Sequence, residues 1–104
     1  MAYDEKSADR IRAVLGKRRY VEKKMMGRLA FMVNKAMCVT IGDDGLLVRV
    51  TPAEREAVLA RAHVTPMVMG KRTMSGFVRV APPGYRTAAQ LARWVELGIA
   101  ARRR

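Results

Sequence analysis

The sequence predicts an α+β protein of two layers, in which helices pack on one face of an antiparallel sheet. Three observations support this fold class. Short apolar segments follow one another between residues 20 and 50, turn-forming residues separate them, and apolar residues at helical spacing occur only outside the strand blocks. Because consecutive strands joined by short turns pair antiparallel and the helices are segregated from them, we expect the element order α-β-β-β-β-α-β-β-α.

The first element is a helix predicted over residues 4–15. Acidic residues occupy its first turn, and Gly16 supplies a stop signal after its last residue. Helical spacing places four apolar residues on one stripe, which should face the core: Ala8, Ile11, Val14 and Leu15.

A meander of four strands follows this helix. The second strand is apolar on both sides, so we expect it to be buried on both faces or to form part of an interface. In the third strand, Met37, Val39 and Ile41 should share one face. Glycine and asparagine tolerate the backbone of tight turns and stand in the reversals. The predicted turns are Gly27-Arg28, Asn34-Lys35 and 42–45, and the strands are 20–26, 29–33, 37–41 and 46–50.

A second helix is predicted directly after the meander. Thr51, Pro52 and Glu54 have the spacing of a capping box with proline at the first helical position. The helix should run to about residue 62, and Thr65-Pro66 should break the pattern.

Two further strands and a last helix complete the order. The strands are predicted at residues 67–69 and 74–80, followed by an exposed, proline-rich connection at 82–84. A second capping box, at Thr87 and Gln90, begins the last helix. Five residues at helical spacing form its predicted core face, Leu91, Trp94, Val95, Gly98 and Ile99.

Length and composition are typical of soluble globular proteins. The 104 residues match a single domain over residues 1–104. No apolar run approaches the roughly 20 residues that span a bilayer, and the amino-terminal segment is polar and unlike an export signal. Because Cys38 is the only cysteine, no intramolecular disulfide can form. We therefore expect a cytoplasmic protein with no membrane partner.

Positive charge is the strongest compositional signal. Twenty-one Lys and Arg against nine Asp and Glu give a net charge of +12, and a field of that size attracts polyanions. Nucleic acid is the commonest partner, with an acidic protein or an anionic lipid surface as alternatives. A competing interpretation is that these are solvated charges that keep a small domain soluble. The candidate nucleic-acid-binding residues are Lys17, Arg18, Arg19, Lys23, Lys24, Arg28, Lys71 and Arg72.

Several short motifs follow one another along the chain. They are Glu22-Lys23-Lys24-Met25 followed by Gly27, the run from Leu29 to Val33, Met37-Cys38, the run from Leu47 to Val50, and Arg72 with Met74 and Gly76-Phe77-Val78. Together they resemble the amino-terminal domain of the TfoX/Sxy family, from about Asp4 to the last helix. Arg28 departs from the glycine pair common in the family and makes the first hairpin tip more basic.

The resemblance implies a bacterial two-layer module of α-helices and β-strands without known catalysis. It also implies a role in regulating competence genes, in which the protein assists the cyclic AMP receptor protein at promoters. Longer regulators of the family carry a second, helical domain that resembles helix-hairpin-helix modules. We expect this chain to be a stand-alone first domain.

Residues with catalytic chemistry are few. Cys38 and His63 are the only cysteine and histidine, and no orienting carboxylate or oxyanion loop is predicted near Cys38, which should be a buried thiol. Asp43 and Asp44 do not share metal-ligand spacing with them. We therefore predict no enzyme activity, no metal site and no cofactor.

Methionine is abundant, with eight residues. We expect most of them to fill the core, because a flexible thioether adapts to irregular gaps. The alternative is a pliable interaction surface, which includes a homodimer.

Two functional hypotheses follow from the sequence. The first is a non-enzymatic regulatory module, a transcription co-regulator that binds the phosphate backbone of nucleic acid through the basic residues named above. The second is a protein-interaction domain, with a homodimer as one form, whose positive charge serves an acidic partner or solubility.

Overall fold

The computed structural model describes residues 3–25 and 27–102. Its elements follow the predicted order, with a short 3-10 turn at Pro82–Tyr85 before the last helix, so the predicted fold class is confirmed. The predicted end of the first strand at residue 26 lies outside the described residues. The helices are α1 Glu5–Leu15, α2 Arg55–Leu59 and α3 Ala88–Arg102, and the strands are β1 Val21–Met25, β2 Arg28–Val33, β3 Ala36–Gly42, β4 Gly45–Arg49, β5 Val64–Met69 and β6 Arg72–Val80.

The six strands form one antiparallel sheet in the order β1-β2-β3-β4-β6-β5. The first four strands are neighbours in both chain and space, and two-residue turns join β2 to β3 and β3 to β4. Asn34 and Lys35, with φ of 53° and 68°, form the turn between β2 and β3. This left-handed geometry matches the twist of a tight hairpin, so the predicted reversal is confirmed. β1 and β5 are the two edges of the sheet.

All three helices lie on one face of this sheet. α1 and α3 pack against each other, and α3 covers β3 and β4. Apolar residues of all three helices join alternate residues of the strands in one core. The predicted core face of α3 is confirmed, and the Nε1 of buried Trp94 donates a hydrogen bond of 3.0 Å to the carbonyl oxygen of Gly84. In the described part of the chain, the opposite face of the sheet is therefore left without a helical layer.

Gly98 sets the distance between α3 and the sheet. A Cβ at this position would lie 2.5 Å from the carbonyl oxygen of Cys38 in β3, closer than real Cβ contacts. The helix can approach the strand only because this side chain is missing. Cys38 is itself buried, as predicted.

The reciprocal hydrogen bonds of both capping boxes form, but the second helix is shorter than predicted. It begins at Arg55, so the prediction that Pro52 occupies the first helical position is wrong. The backbone N–H of Thr51 donates to the Oε1 of Glu54 at 2.9 Å, yet α2 ends at Leu59 rather than near residue 62. The chain leaves helical geometry before His63, whose φ of 68° turns it toward β5. At Thr87 and Gln90 the corresponding reciprocal hydrogen bonds are 2.9 and 3.1 Å.

Thr65-Pro66 does not mark the end of the second helix, which ends earlier, at Leu59, and Pro66 lies within an edge strand. β5 begins at Val64 rather than at residue 67, and Pro66 pairs with Val78 of β6. A proline removes one backbone donor, which an edge strand tolerates where that donor would point away from its neighbour. β6 likewise begins at Arg72 rather than at residue 74.

The prediction that Met37 shares a face with Val39 and Ile41 is wrong. Phe31 pairs with Val39 but its neighbour Met32 pairs with Met37, so β3 contains one extra residue at this point. A bulge of this kind shifts the alternation of side chains along a strand. Met37 therefore faces away from the helices.

Replacing Gly98 with alanine should destabilise the protein. In an exposed helix this change stabilises by about 1 kcal/mol through helix propensity, but here the new methyl group would collide with the backbone of β3. We expect Gly98→Ala to lower the free energy of unfolding by about 1–3 kcal/mol, the usual cost of overpacking. Urea denaturation followed by the fluorescence of Trp94 measures this change.

Gly76→Ala is the matched control, because a Cβ at Gly76 would meet no atom within 4 Å. It should alter the free energy of unfolding by less than about 0.5 kcal/mol. Equal effects of the two substitutions would contradict the close approach of α3 to β3.

Candidate functional site on the open face of the sheet

The side of the sheet that faces away from the helices is the candidate site, and we call it the open face. Residues paired across antiparallel strands share a face, so the register defines its members. The open-face residues are Val21, Lys23 and Met25 of β1, Arg28, Ala30 and Met32 of β2, Met37 and Thr40 of β3, Leu47 and Arg49 of β4, Arg72, Met74, Phe77 and Arg79 of β6, and Thr65, Met67 and Met69 of β5.

A cavity of about 160 Å³ lies in the middle of the open face. All six strands contribute to its wall, including both edge strands, so the sheet curves around it. Ala30 and Leu47 are buried in its floor, while Met25, Met69 and Met74 at its mouth are 38%, 46% and 36% exposed. We call this cavity the methionine groove, and its lining is Met25, Arg28, Ala30, Met37, Thr40, Leu47, Met67, Met69, Met74 and Phe77.

Arg28 closes one side of the methionine groove and holds three elements together. Its Nε donates to the Oγ1 of Thr40 at 2.8 Å, and its Nη2 donates to the carbonyl oxygen of Gly45 at 2.8 Å. Its Nη1 binds the carboxylate of Asp44, which also binds Arg79. The guanidinium lies across Gly42, where any Cβ would strike it. β2 is thereby fixed to the β3–β4 turn and to β6.

The electrostatics of this cluster favour the charged form of Asp44. Burial tends to raise the pKa of the Asp44 carboxyl, but hydrogen bonds from Arg28 and Arg79 outweigh it and leave that pKa below its ordinary value. The carboxylate therefore stays ionised throughout the physiological range and neutralises part of the charge of both arginines.

Arg49 borders the methionine groove from β4. Its Nε donates to the carbonyl oxygen of Met37 at 2.6 Å, and its guanidinium carbon lies 4.8 Å from the ring centroid of Phe77. This is the range of a cation–π interaction, which holds the Phe77 ring in the groove wall. The groove is thus apolar inside and carries cations fixed along its border.

Comparison with known proteins identifies the family of the chain. The model of the TfoX N-terminal domain matches residues 14–102. The chain belongs to the TfoX N-terminal domain family. No curated protein and no solved structure matches it. The matched region contains every strand of this TfoX N-terminal domain and therefore the whole open face.

The predicted basic residues of this TfoX N-terminal domain fall into four places. Lys17, Arg18 and Arg19 lie between α1 and β1, and Arg18 forms an ion pair of 2.6 Å with Glu96 of α3. Lys24 pairs with Leu29 and faces the helix side, and Lys71 is in the β5–β6 turn. Three others lie on the open face, namely Lys23, Arg28 and Arg72.

The sequence interpretation missed the methionine groove and two of its cations. Arg49 and Arg79 stand alone in apolar strands, so no dense run of charge marked them. The prediction that methionines mainly fill the core is wrong for those that the structure describes, because none of them belongs to the buried core. The sequence did indicate a second apolar side of β2, where Ala30 and Met32 alternate with buried neighbours, but not the groove that the other strands complete.

The two residues with nucleophile and base chemistry lie in different parts of the fold. Cys38 is buried in β3, whereas His63 is exposed just before β5, with β4 and β6 between them in the sheet. Within residues 3–25 and 27–102, no group of three or more His, Cys, Asp or Glu is arranged to hold a metal ion. No helix among these residues is long and apolar enough to cross a membrane.

Replacing Asp44 with asparagine should destabilise the protein at neutral pH. The folded-state pKa of Asp44 is lowered, so its contribution is present above the unfolded pKa of about 3.9 and is lost as pH falls through the folded pKa. Because the side chain is 42% exposed, solvent screens the pairs, and we expect a loss of about 1 kcal/mol at pH 7. The difference from the wild type should vanish in acid.

Urea denaturation between pH 7 and pH 2 measures this difference, with Asp43→Asn as the control. Asp43 is the neighbouring exposed carboxylate in the same turn and makes no ion pair within the described residues. A pH-independent effect of Asp44→Asn would show that the arginine pairs do not stabilise the fold.

Proposed function

We propose that this chain is a non-enzymatic regulatory adaptor that contacts a partner protein through the open face. The observation that carries the proposal is the methionine groove. Large apolar side chains exposed together, rather than scattered, mark interaction surfaces on soluble proteins. Met25, Met69 and Met74 are exposed around one cavity, and their flexible thioethers can repack against an incoming side chain.

The polar groups of the groove support a binding role rather than a catalytic one. Arg28 and Thr40 are the polar residues that line it, and they are hydrogen-bonded to each other at 2.8 Å. A nucleophile needs a base within hydrogen-bond distance, and neither side chain is such a base. In this proposal the partner belongs to the transcription apparatus, in keeping with the family resemblance, and the buried thiol of Cys38, which forms no disulfide, suits the reducing cytoplasm.

Photo-crosslinking in cells tests the adaptor function. A photoreactive amino acid at position 25 or 69 should cross-link to one and the same protein, because both positions border the methionine groove. The same amino acid at position 68 is the matched control. Val68 is equally exposed, at 50%, but it points to the other side of β5, since side chains alternate along a strand.

Recovery of the shared protein from positions 25 and 69 but not from 68, measured by mass spectrometry, is the expected result. Equal labelling from all three positions, or adducts with nucleic acid alone, would contradict the adaptor function.

A second candidate function is nucleic-acid binding by a transcription co-regulator. The net charge of +12 favours it, as do exposed cations that make no ion pair within the described residues. Of the eight predicted residues, these are Lys17, Arg19, Lys23, Lys24, Lys71 and Arg72. Phosphate contacts of this kind would give affinity with little reading of base sequence.

Fluorescence anisotropy with duplex DNA and with RNA at several salt concentrations tests this candidate. If about six phosphates are neutralised, log affinity should fall with log salt at a slope near −5. Arg19→Glu/Lys23→Glu should weaken binding, whereas Arg86→Glu/Arg93→Glu reverses as much charge at exposed positions outside the predicted set. Equal losses in the two double variants would show that only the net charge matters, and no anisotropy change at low salt would exclude the candidate.

A further inference from the structure

Charge is distributed unequally between the two faces of the sheet. On the helix side, Arg12 forms ion pairs with Glu5, Asp9 and Glu22. Arg18 forms an ion pair with Glu96 of α3. Asp44 is the one carboxylate in the described residues that pairs with open-face side chains, and Arg28 and Arg79 bind both of its oxygens. The open face therefore presents excess positive charge around an apolar groove.

Two of the open-face cations are free to meet a partner. Lys23 pairs with Ala30 across β1 and β2, and Arg72 pairs with Met69 across β5 and β6. They stand on opposite sides of the methionine groove, and neither makes an ion pair within the described residues. Arg28, Arg49 and Arg79 are already held by hydrogen bonds.

The groove itself has room for one large apolar side chain. Its volume is about 160 Å³, and apolar cavities of roughly 150 Å³ accept a single aromatic ring. Nucleic acid is a poor match for the apolar interior of the methionine groove, because its phosphate backbone offers no apolar side chain that could fill the groove. Stacking of a base would need an exposed ring, and the ring of Phe77 is already paired with Arg49.

A second copy of the chain also fits the open face poorly. Two open faces brought together would place the cations of one copy against those of the other, and like charges at an interface oppose association. Charge complementarity instead calls for a partner segment that is both acidic and apolar. An amphipathic helix with carboxylates on one side and apolar residues on the other would pair its carboxylates with the cations and place its apolar residues in the groove.

We infer that the methionine groove binds an acidic amphipathic helix of a partner protein, with one large apolar side chain in the cavity and carboxylates toward Lys23 and Arg72. This inference rests on the proposed adaptor function and names the chemistry of its partner. The molecule measures 31 × 30 × 25 Å, so a helix of about 18 residues, about 27 Å long, spans the open face.

A synthetic peptide tests the inference. The probe is a fluorescein-labelled helical peptide of about 18 residues, with leucines and one phenylalanine at helical spacing on one side and glutamates on the other. Two control peptides separate its features: one has lysine in place of each glutamate, and the other has serine in place of each apolar residue. Fluorescence anisotropy at low and at high salt measures binding.

We expect the acidic amphipathic peptide alone to bind and to keep part of its affinity at high salt, because apolar burial is screened little. Met69→Glu should weaken binding by about tenfold or more, the effect of losing an apolar anchor. Val68→Glu adds the same charge on the other side of β5 and should change the affinity by less than about twofold. Lys23→Gln and Arg72→Gln should each weaken binding by about threefold, as partly exposed ion pairs do.

Three results would overturn the inference. If the serine control binds as tightly as the acidic amphipathic peptide, net charge alone explains binding and the apolar side chain is not needed. If the lysine control binds as tightly, the carboxylates are not needed. No binding of any peptide, while cross-links from positions 25 and 69 to one protein persist, would reject the acidic helix and leave the adaptor function in place. Loss of both peptide binding and cross-links would reject the adaptor function as well.

Discussion

In the residues that the structure describes, the helices cover one face of a six-stranded sheet, and no helix covers the other face. At Gly98, α3 approaches the backbone of β3 so closely that no side chain fits between them. A sheet surface of this size carries apolar residues on both sides of its central strands, and exposed apolar area opposes solubility. The structure of the open face follows from this constraint, because its residues must protect Ala30 and Leu47 without a second helical layer.

Two kinds of side chain perform this task. Long methionines reach over the floor from β1, β5 and β6, so that Ala30 is fully buried and Leu47 almost so. Arginines supply both cover and positive charge: their aliphatic stems lie on the sheet while their guanidinium groups bind Thr40, Asp44 and backbone carbonyls. The same arrangement that protects the strands leaves a groove that is apolar inside and positive around its mouth.

Local signals in the sequence were sufficient for the fold class, the element order and both capping boxes, because turn residues and apolar spacing act over a few residues. They were insufficient where long-range pairing decides the outcome. Pro66 lies in a strand because β5 is an edge, and Met37 changes face because β3 has an extra residue opposite Phe31 and Met32. The methionine groove needs six strands brought together, and Arg49 and Arg79 become part of the site only through that assembly. The charge density that singled out Lys23, Arg28 and Arg72 did indicate residues of the open face.

Whether this face is open and lined by methionine can be measured from the accessibility of the methionine methyl groups to solvent. In a protein labelled with ¹³C at the methionine, isoleucine and valine methyl groups, a water-soluble paramagnetic agent broadens the NMR signals of groups that solvent reaches. An open face should give strong broadening for Met25, Met69 and Met74, which are exposed, and little for Ile11 and Val39, which are buried in the core. Methionine signals as protected as those of Ile11 and Val39 would mean that the second face is covered and that no open methionine groove exists.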